Sequence, residues 1–132
     1  MLLLDTDALI WWLLDDKRLG MRSRSLIRLT ARGKLSISVA TWMELGNLQR
    51  RADIRFRETI PAIRKRVIEG GIVEREVTGA VAIDAADLSE LSANPMDRLL
   101  AATARQSGST LVTSDDRILA WAGTLDRLDA RV

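Results

Sequence analysis

Six acidic residues sit where chemistry can be read from their surroundings. Asp5 and Asp7 lie inside the otherwise apolar run "LLLDTDALIWWLL", Glu44 lies in "SVATWMEL", Asp97 in "NPMDRLLAATA", and Asp115 and Asp116 in "TLVTSDDRILAW". A carboxylate is costly to bury unless it is hydrogen-bonded, paired or bound to a cation, so Asp5, directly after three leucines, most needs an explanation. The 132-residue chain has no His and no Cys. This excludes Ser-His-Asp and Cys-His catalysis, imidazole and thiolate zinc sites, and disulfides. Acid–base or metal chemistry must run on Asp, Glu, Lys or Arg, and oxygen-only donors select Mg²⁺ or Mn²⁺ over zinc.

The elements that must position these acids are visible in the apolar pattern. Strand-like runs at Leu2 to Leu4, Leu35 to Val39 and Thr110 to Thr113 each lead into a polar turn and a segment with helical spacing. That alternation predicts an α/β fold with a mostly parallel sheet, built as a single domain over residues 1–132. In a parallel sheet all such transitions lie at the carboxyl edge, where open α/β sheets bind ligands, so Asp5, Glu44 and Asp115 should converge there. Asp97 joins them if the helix opened by "NPMDR" starts at the same edge. Gathered anions repel unless a cation lies among them. Each acid also has a purely structural explanation. Thr41 and Glu44 have the spacing of a capping box, Asp97 is the third helical residue after an Asn cap, and Asp115 suits an N-cap.

Elsewhere, the pattern predicts a basic amphipathic helix over residues 21–32 closed by Gly33, and a helix from Thr41 through "WMELGNLQRR". A further helical face is formed by Phe56, Ile60, Ile63 and Val67, with Pro61 as a kink or division. A strand in "GIVERE", a helix from Thr78 to Leu91, an Asn94–Pro95 helix start and a C-terminal edge strand in "TLDRLDARV" complete the pattern. Trp11 and Trp12 read as core or interface residues.

Charge is polarised. Residues 1–16 carry a net −4, residues 17–66 a net +11 and residues 67–132 a net −5. A basic middle beside acidic ends suits a polyanion-binding surface next to a carboxylate site, with Arg22, Arg24, Arg28, Arg57, Arg64 and Lys65 as candidate contacts with a polyanion backbone. Arg98, beside Asp97, suits a contact with a bound anion or an ion pair with a neighbouring acid. No apolar run approaches the ~20 residues needed to span a bilayer, and the start lacks a basic, cleavable leader, so a cytoplasmic protein is expected.

Taken in order over nearly the whole chain, "LLLDTDALIWW", "SVATWMEL", "NPMDRLLAATA" and "TLVTSDDRILAW" resemble a PIN-domain protein, specifically a VapC-type toxin of a type II toxin–antitoxin system. The resemblance implies a three-layer α/β/α sandwich and a Mg²⁺- or Mn²⁺-dependent endoribonuclease. It places the family's acidic quartet, catalytic and metal-holding, on Asp5, Glu44, Asp97 and Asp115, with Thr113 as the hydroxyl residue of the T-x-D turn. It further implies a cognate antitoxin partner and a homodimer, for which the apolar "ALIWWLL" helix offers a surface. Asp7 stands where relatives often have Asn or His, so it either extends the metal site or caps the helix. Asp116 competes with Asp115 for the fourth position, and the spacing from Thr113 favours Asp115.

Two alternatives remain. The D-x-D pair at Asp5 and Asp7 is shared with haloacid-dehalogenase-like phosphatases, in which Asp5 would be the nucleophile. Against this, "DTDAL" lacks the usual Gly-Thr continuation, and the only lysines are Lys17, Lys34 and Lys65. The other alternative is a non-catalytic PIN fold that binds RNA or protein.

Overall fold

Leu2 to Leu4 form strand β1 and Thr110 to Thr113 form β4, and alternation along them divides the core in two. Leu4 and Val112 enter one apolar cluster while Leu3 and Leu111 enter the other, as the two-residue period of a strand requires. The computed structural model describes residues 1–132. Its sheet has five strands in the order β3-β2-β1-β4-β5, with β2 at Leu35–Ser38, β3 at Val73–Arg75 and β5 at Arg127–Asp129. Every pairing is parallel, including the C-terminal edge strand.

Helices α1 (Thr6–Leu13), α2 (Met21–Leu29), α3 (Ala40–Arg50) and α4 (Ile60–Glu69) contribute to the first cluster. Helices α5 (Gly79–Ala86), α6 (Pro95–Ser107) and α7 (Asp116–Ala120) contribute to the second. The result is the expected α/β/α sandwich. No helix is long and apolar enough to cross a membrane.

Several local expectations are corrected. Helix α2 stops at Leu29 with Thr30 as its C-cap, so it ends before Gly33, whose φ of +84° instead serves the turn into β2. Pro61 neither kinks nor divides a helix: Thr59 caps α4 and the proline sits in its first turn, leaving Phe56 outside. Thr78 caps α5 as expected, but that helix ends at Ala86. Asn94 caps α6 through Met96 N–H at 3.0 Å, with Pro95 at the first helical position. Of the apolar segment offered for dimerisation, Ala8, Leu9, Ile10 and Trp11 are buried in the first cluster, while Trp12 and Leu13 are half-buried and Leu14 is exposed.

Candidate active site

The carboxyl edge of the sheet collects the predicted acids through three strand–helix junctions, β1–α1, β2–α3 and β4–α7, and the α5–α6 connection. Asp5 directly follows β1, and its N–H continues the sheet by donating to Val112 O at 3.0 Å. Its carboxylate caps α1, accepting from Ala8 N–H at 2.7 Å. Glu44 lies in the second turn of α3. Thr41, buried one turn earlier, is inside that helix and does not cap it, so the pair is not a capping box. Asp97 is the third residue of α6 and accepts a hydrogen bond from the Ser92 hydroxyl at 2.8 Å. Asp115 caps α7, accepting from Arg117 N–H at 2.8 Å and Ile118 N–H at 3.1 Å. Thr113 fixes that turn, its hydroxyl accepting from Asp115 N–H at 3.1 Å.

Mutual electrostatic effects show that these acids share one region. Asp5 is 8% exposed, and burial pushes its carboxyl up from 3.8 to about 7, opposed by the Ala8 N–H and the Thr113 hydroxyl. Asp7 and Glu44 add to the rise. Burial likewise raises Glu44, with Asp97 and Asp7 adding to it, and raises Asp97, with Asp115 and Asp7 adding. Asp7 is itself raised by burial and by Asp115, against the pull of Arg18. Asp7 therefore acts on Asp5, Glu44 and Asp97 and is acted on by Asp115, an involvement that its spacing from Asp5 alone did not reveal. Arg51 favours the charged form of Glu44, and Arg117 that of Asp97.

Asp116 is turned away. Its exposed carboxylate pairs with Arg131 at 2.8 Å. Arg98 forms no ion pair with a neighbouring acid, its Nη2 donating instead to Ala93 O at 3.3 Å. None of the candidate RNA contacts, on α2, on α4 or before it, figures among the charges that act on Asp5, Asp7, Glu44 or Asp97. Arg64 binds Glu74 through Nε and Nη2, both at 2.7 Å, Lys65 lies 4.0 Å from Glu69, and Arg24 pairs with Asp15. Arg28 lines a cavity of about 440 Å³ with Trp12, Leu35 and Gly71, at the strand-start end of the sheet. Arg22 and Arg57 are exposed and form no ion pair. Sequence reasoning missed Ser92, whose side chain orients Asp97 and also accepts from Asn94 N–H at 3.1 Å. An Asx/Ser-rich turn before a helix was its only signal.

The donor set suits a hard divalent cation. It holds only carboxylate and hydroxyl oxygens, and the Thr6 and Thr41 hydroxyls are buried at the same edge without a full hydrogen bond. The Thr6 hydroxyl still lies close enough to Glu44 to favour its charged form. In this side-chain arrangement no three acids are placed to share one ion; Asp5 and Asp115 each turn one oxygen onto their own helix start.

A parallel α/β/α sandwich with acids from four connections gathered at one carboxyl edge is the architecture of a PIN domain. The family model described as PIN domain matches residues 2–123. The chain is also 30% identical over 120 residues, 88% of each protein, to Ribonuclease VapC22 of Mycobacterium tuberculosis. It belongs to the PIN-domain family, as a VapC-type member. Two solved structures share the fold. FitAcB from Neisseria gonorrhoeae matches at 20% identity over 98% of both chains with a TM-score of 0.66. A toxin–antitoxin complex from Klebsiella pneumoniae matches at 20% identity over 92% of both chains with a TM-score of 0.62.

Proposed function

We propose that this protein is a Mg²⁺- or Mn²⁺-dependent endoribonuclease, the toxin of a type II toxin–antitoxin system. The observation that carries the reading is Asp5, a nearly fully buried carboxylate held at the end of β1 among Asp7 and Glu44, with no cationic side chain bonded to it. Such a group is retained at a cost of stability, and a divalent cation is the partner that would offset it. The VapC-type relationship supplies the substrate class, and the toxin–antitoxin complex among the structural matches supports a cognate antitoxin. A homodimer rests on the family resemblance alone. Nothing in the structure favours the phosphatase alternative, and the family match replaces it.

Asp5 and Asp97 would hold the principal ion, with Glu44 and Asp115 completing the shell or holding a second one. When bound, such an ion neutralises phosphate oxygens, activates water and stabilises the departing oxygen. The chain's own groups prepare that site. The Ala8 N–H and Thr113 hydroxyl fix Asp5, Ser92 orients Asp97, and the α7 N–H groups aim Asp115. A rim carboxylate made more basic by burial, Glu44 or Asp7, is suited to take the proton of the attacking water. In-line attack would leave a 5′-phosphate and a 3′-hydroxyl.

The test is cleavage of a mixed tRNA, rRNA and mRNA pool by purified, antitoxin-free protein with Mg²⁺, Mn²⁺ or EDTA, beside Asp97→Asn with its fold checked by circular dichroism. Cutting that needs the metal and disappears in the variant is the expected result. A folded wild type that leaves every RNA intact with either metal would point to the non-catalytic alternative.

A further inference from the structure

The acids at the carboxyl edge repel a polyanion, so an RNA strand reaching them needs cations beside the edge, not merely elsewhere on the surface. Three guanidinium groups favour the charged forms of site acids; Arg51 does so from the C-cap of α3, two turns past Glu44, whereas Arg18 and Arg117 stand at the edge itself, one from each helical layer. Arg18, in the α1–α2 connection, stacks over the Trp11 ring at 5.2 Å. Trp11 is one helical turn after Asp7 and shares its face of α1, which puts the guanidinium alongside that acid. Asp16 holds it there, accepting from Nε at 3.2 Å and Nη2 at 2.8 Å, while Nη1 donates to no protein atom. On the other layer, Arg117 follows the Asp115 cap, with Nη2 3.8 Å from Asp115 Oδ2. Its side chain is 65% exposed, that of Arg18 66%.

Position separates these two from the other bases. Arg64 and Arg24 are no more heavily paired than Arg18, but Arg64 is held by Glu74, Arg24 by Asp15, and Arg28 lines the cavity at the strand-start end, and none of the three figures among the charges acting on the site carboxylates. We propose that Arg18 and Arg117 are the substrate-positioning residues of this site, gripping backbone phosphates on either side of the cleaved bond. Arg18 is fastened in advance by Asp16 and Trp11, so little freedom is lost when its Nη1 meets a phosphate oxygen. The basic helices α2 and α4 are then not the path of the scissile strand. This inference rests on the ribonuclease reading and deepens it.

The experiment measures binding of a short fluorescein-labelled single-stranded RNA of mixed sequence by anisotropy in EDTA over a salt series, followed by single-turnover cleavage in Mg²⁺. The variants are Arg18→Ala, Arg117→Ala, their Lys counterparts, Arg28→Ala and Arg57→Ala. Lys34→Ala, at the strand-start end, serves as the control. Each of the first two should weaken binding about five- to tenfold and reduce the salt slope by about 0.7, the share of one single-strand phosphate contact, while the Lys forms retain the slope. If Arg117 only steadied Asp115, its Ala variant would lose cleavage rate with affinity and slope unchanged, and its part in the proposal would be overturned. Loss of binding in Arg28→Ala and Arg57→Ala with Arg18→Ala and Arg117→Ala unaffected would overturn the whole proposal and put the strand across α2 and the segment before α4. A wild type that cleaves while none of these variants is impaired defeats the proposal and leaves the ribonuclease reading standing. A wild type that neither binds nor cleaves defeats both.

Discussion

Replacing Asp5 by Asn should make the metal-free protein more stable while abolishing cleavage. In the folded chain burial raises the Asp5 carboxyl from 3.8 to about 7. Below pH 3.8 both states carry the proton and the group contributes nothing. Between 3.8 and 7 the unfolded chain ionises while the folded chain keeps its proton, so stability falls as pH rises and the penalty is complete above 7. At about 1.4 kcal/mol for each pH unit, the ceiling is about 4 kcal/mol at pH 8 and under half of that at pH 5. Asn cannot ionise, has nearly the same shape, and keeps an oxygen for the Ala8 N–H that Asp5 now caps at 2.7 Å.

Urea unfolding in EDTA of wild type and Asp5→Asn at pH 5 and pH 8 reads the effect, and the difference between the proteins cancels other titrating groups. A gain for the variant of about 2 to 4 kcal/mol at pH 8, shrinking by at least half at pH 5, is expected. Equal stability at pH 8, or a gain independent of pH, would falsify the reasoning, because Asp5 would then be as easily ionised in the folded chain as in water. Mg²⁺ supplies the complementary arm. At a hundred times its dissociation constant it should stabilise the wild type by about 2.7 kcal/mol at pH 8 and the variant far less.

Asp115→Asn should reduce cleavage about 100-fold or more, whereas Asp116→Asn, which breaks only the exposed pair with Arg131, should leave cleavage intact and stability within about 1 kcal/mol; parallel RNA cleavage and urea curves check both. Thr113→Val removes the acceptor for Asp115 N–H and the hydroxyl beside Asp5 at a fully buried position. It should cost about 1 to 3 kcal/mol and lower activity, with Thr113→Ser restoring most of each. Gly20→Ala places a Cβ 2.1 Å from the backbone of Val132, where the chain end is tied by Gly20 N–H to Ala130 O at 2.8 Å. A loss of about 1 to 3 kcal/mol in thermal or urea unfolding is expected, since backbone must move on one side.

The sheet was legible because its strands are short apolar runs flanked by polar turns, and β1, β2 and β4 lie within a residue of their expected limits. What the chain pattern could not show depends on tertiary packing. Leu29 ends α2 although the basic amphipathic spacing continues to residue 32, because the turn into β2 closes with Lys34 N–H donating to Ala31 O. Arg18 looked like one base in a basic segment. Its placement beside Asp7 comes from Trp11 and Asp16, a loop geometry without periodicity.

The acids show a different kind of limit, one of logic and not of resolution. From sequence, helix capping and catalysis stood as rival explanations for Asp5 and Asp115. The structure makes both residues N-caps and also places both within the mutually repelling set at the carboxyl edge. In a parallel α/β sheet this overlap has a physical cause. A helix that starts at the strand end presents unpaired N–H groups and the positive end of its dipole there, so a carboxylate drawn in to satisfy the helix is also delivered to the ligand-binding edge. One oxygen is committed to the backbone, which fixes the carboxylate's position, and the other stays available. Capping is thus part of how the site is positioned, and an Asp5→Ser change that preserves the cap should preserve the fold while removing the donor that the site needs.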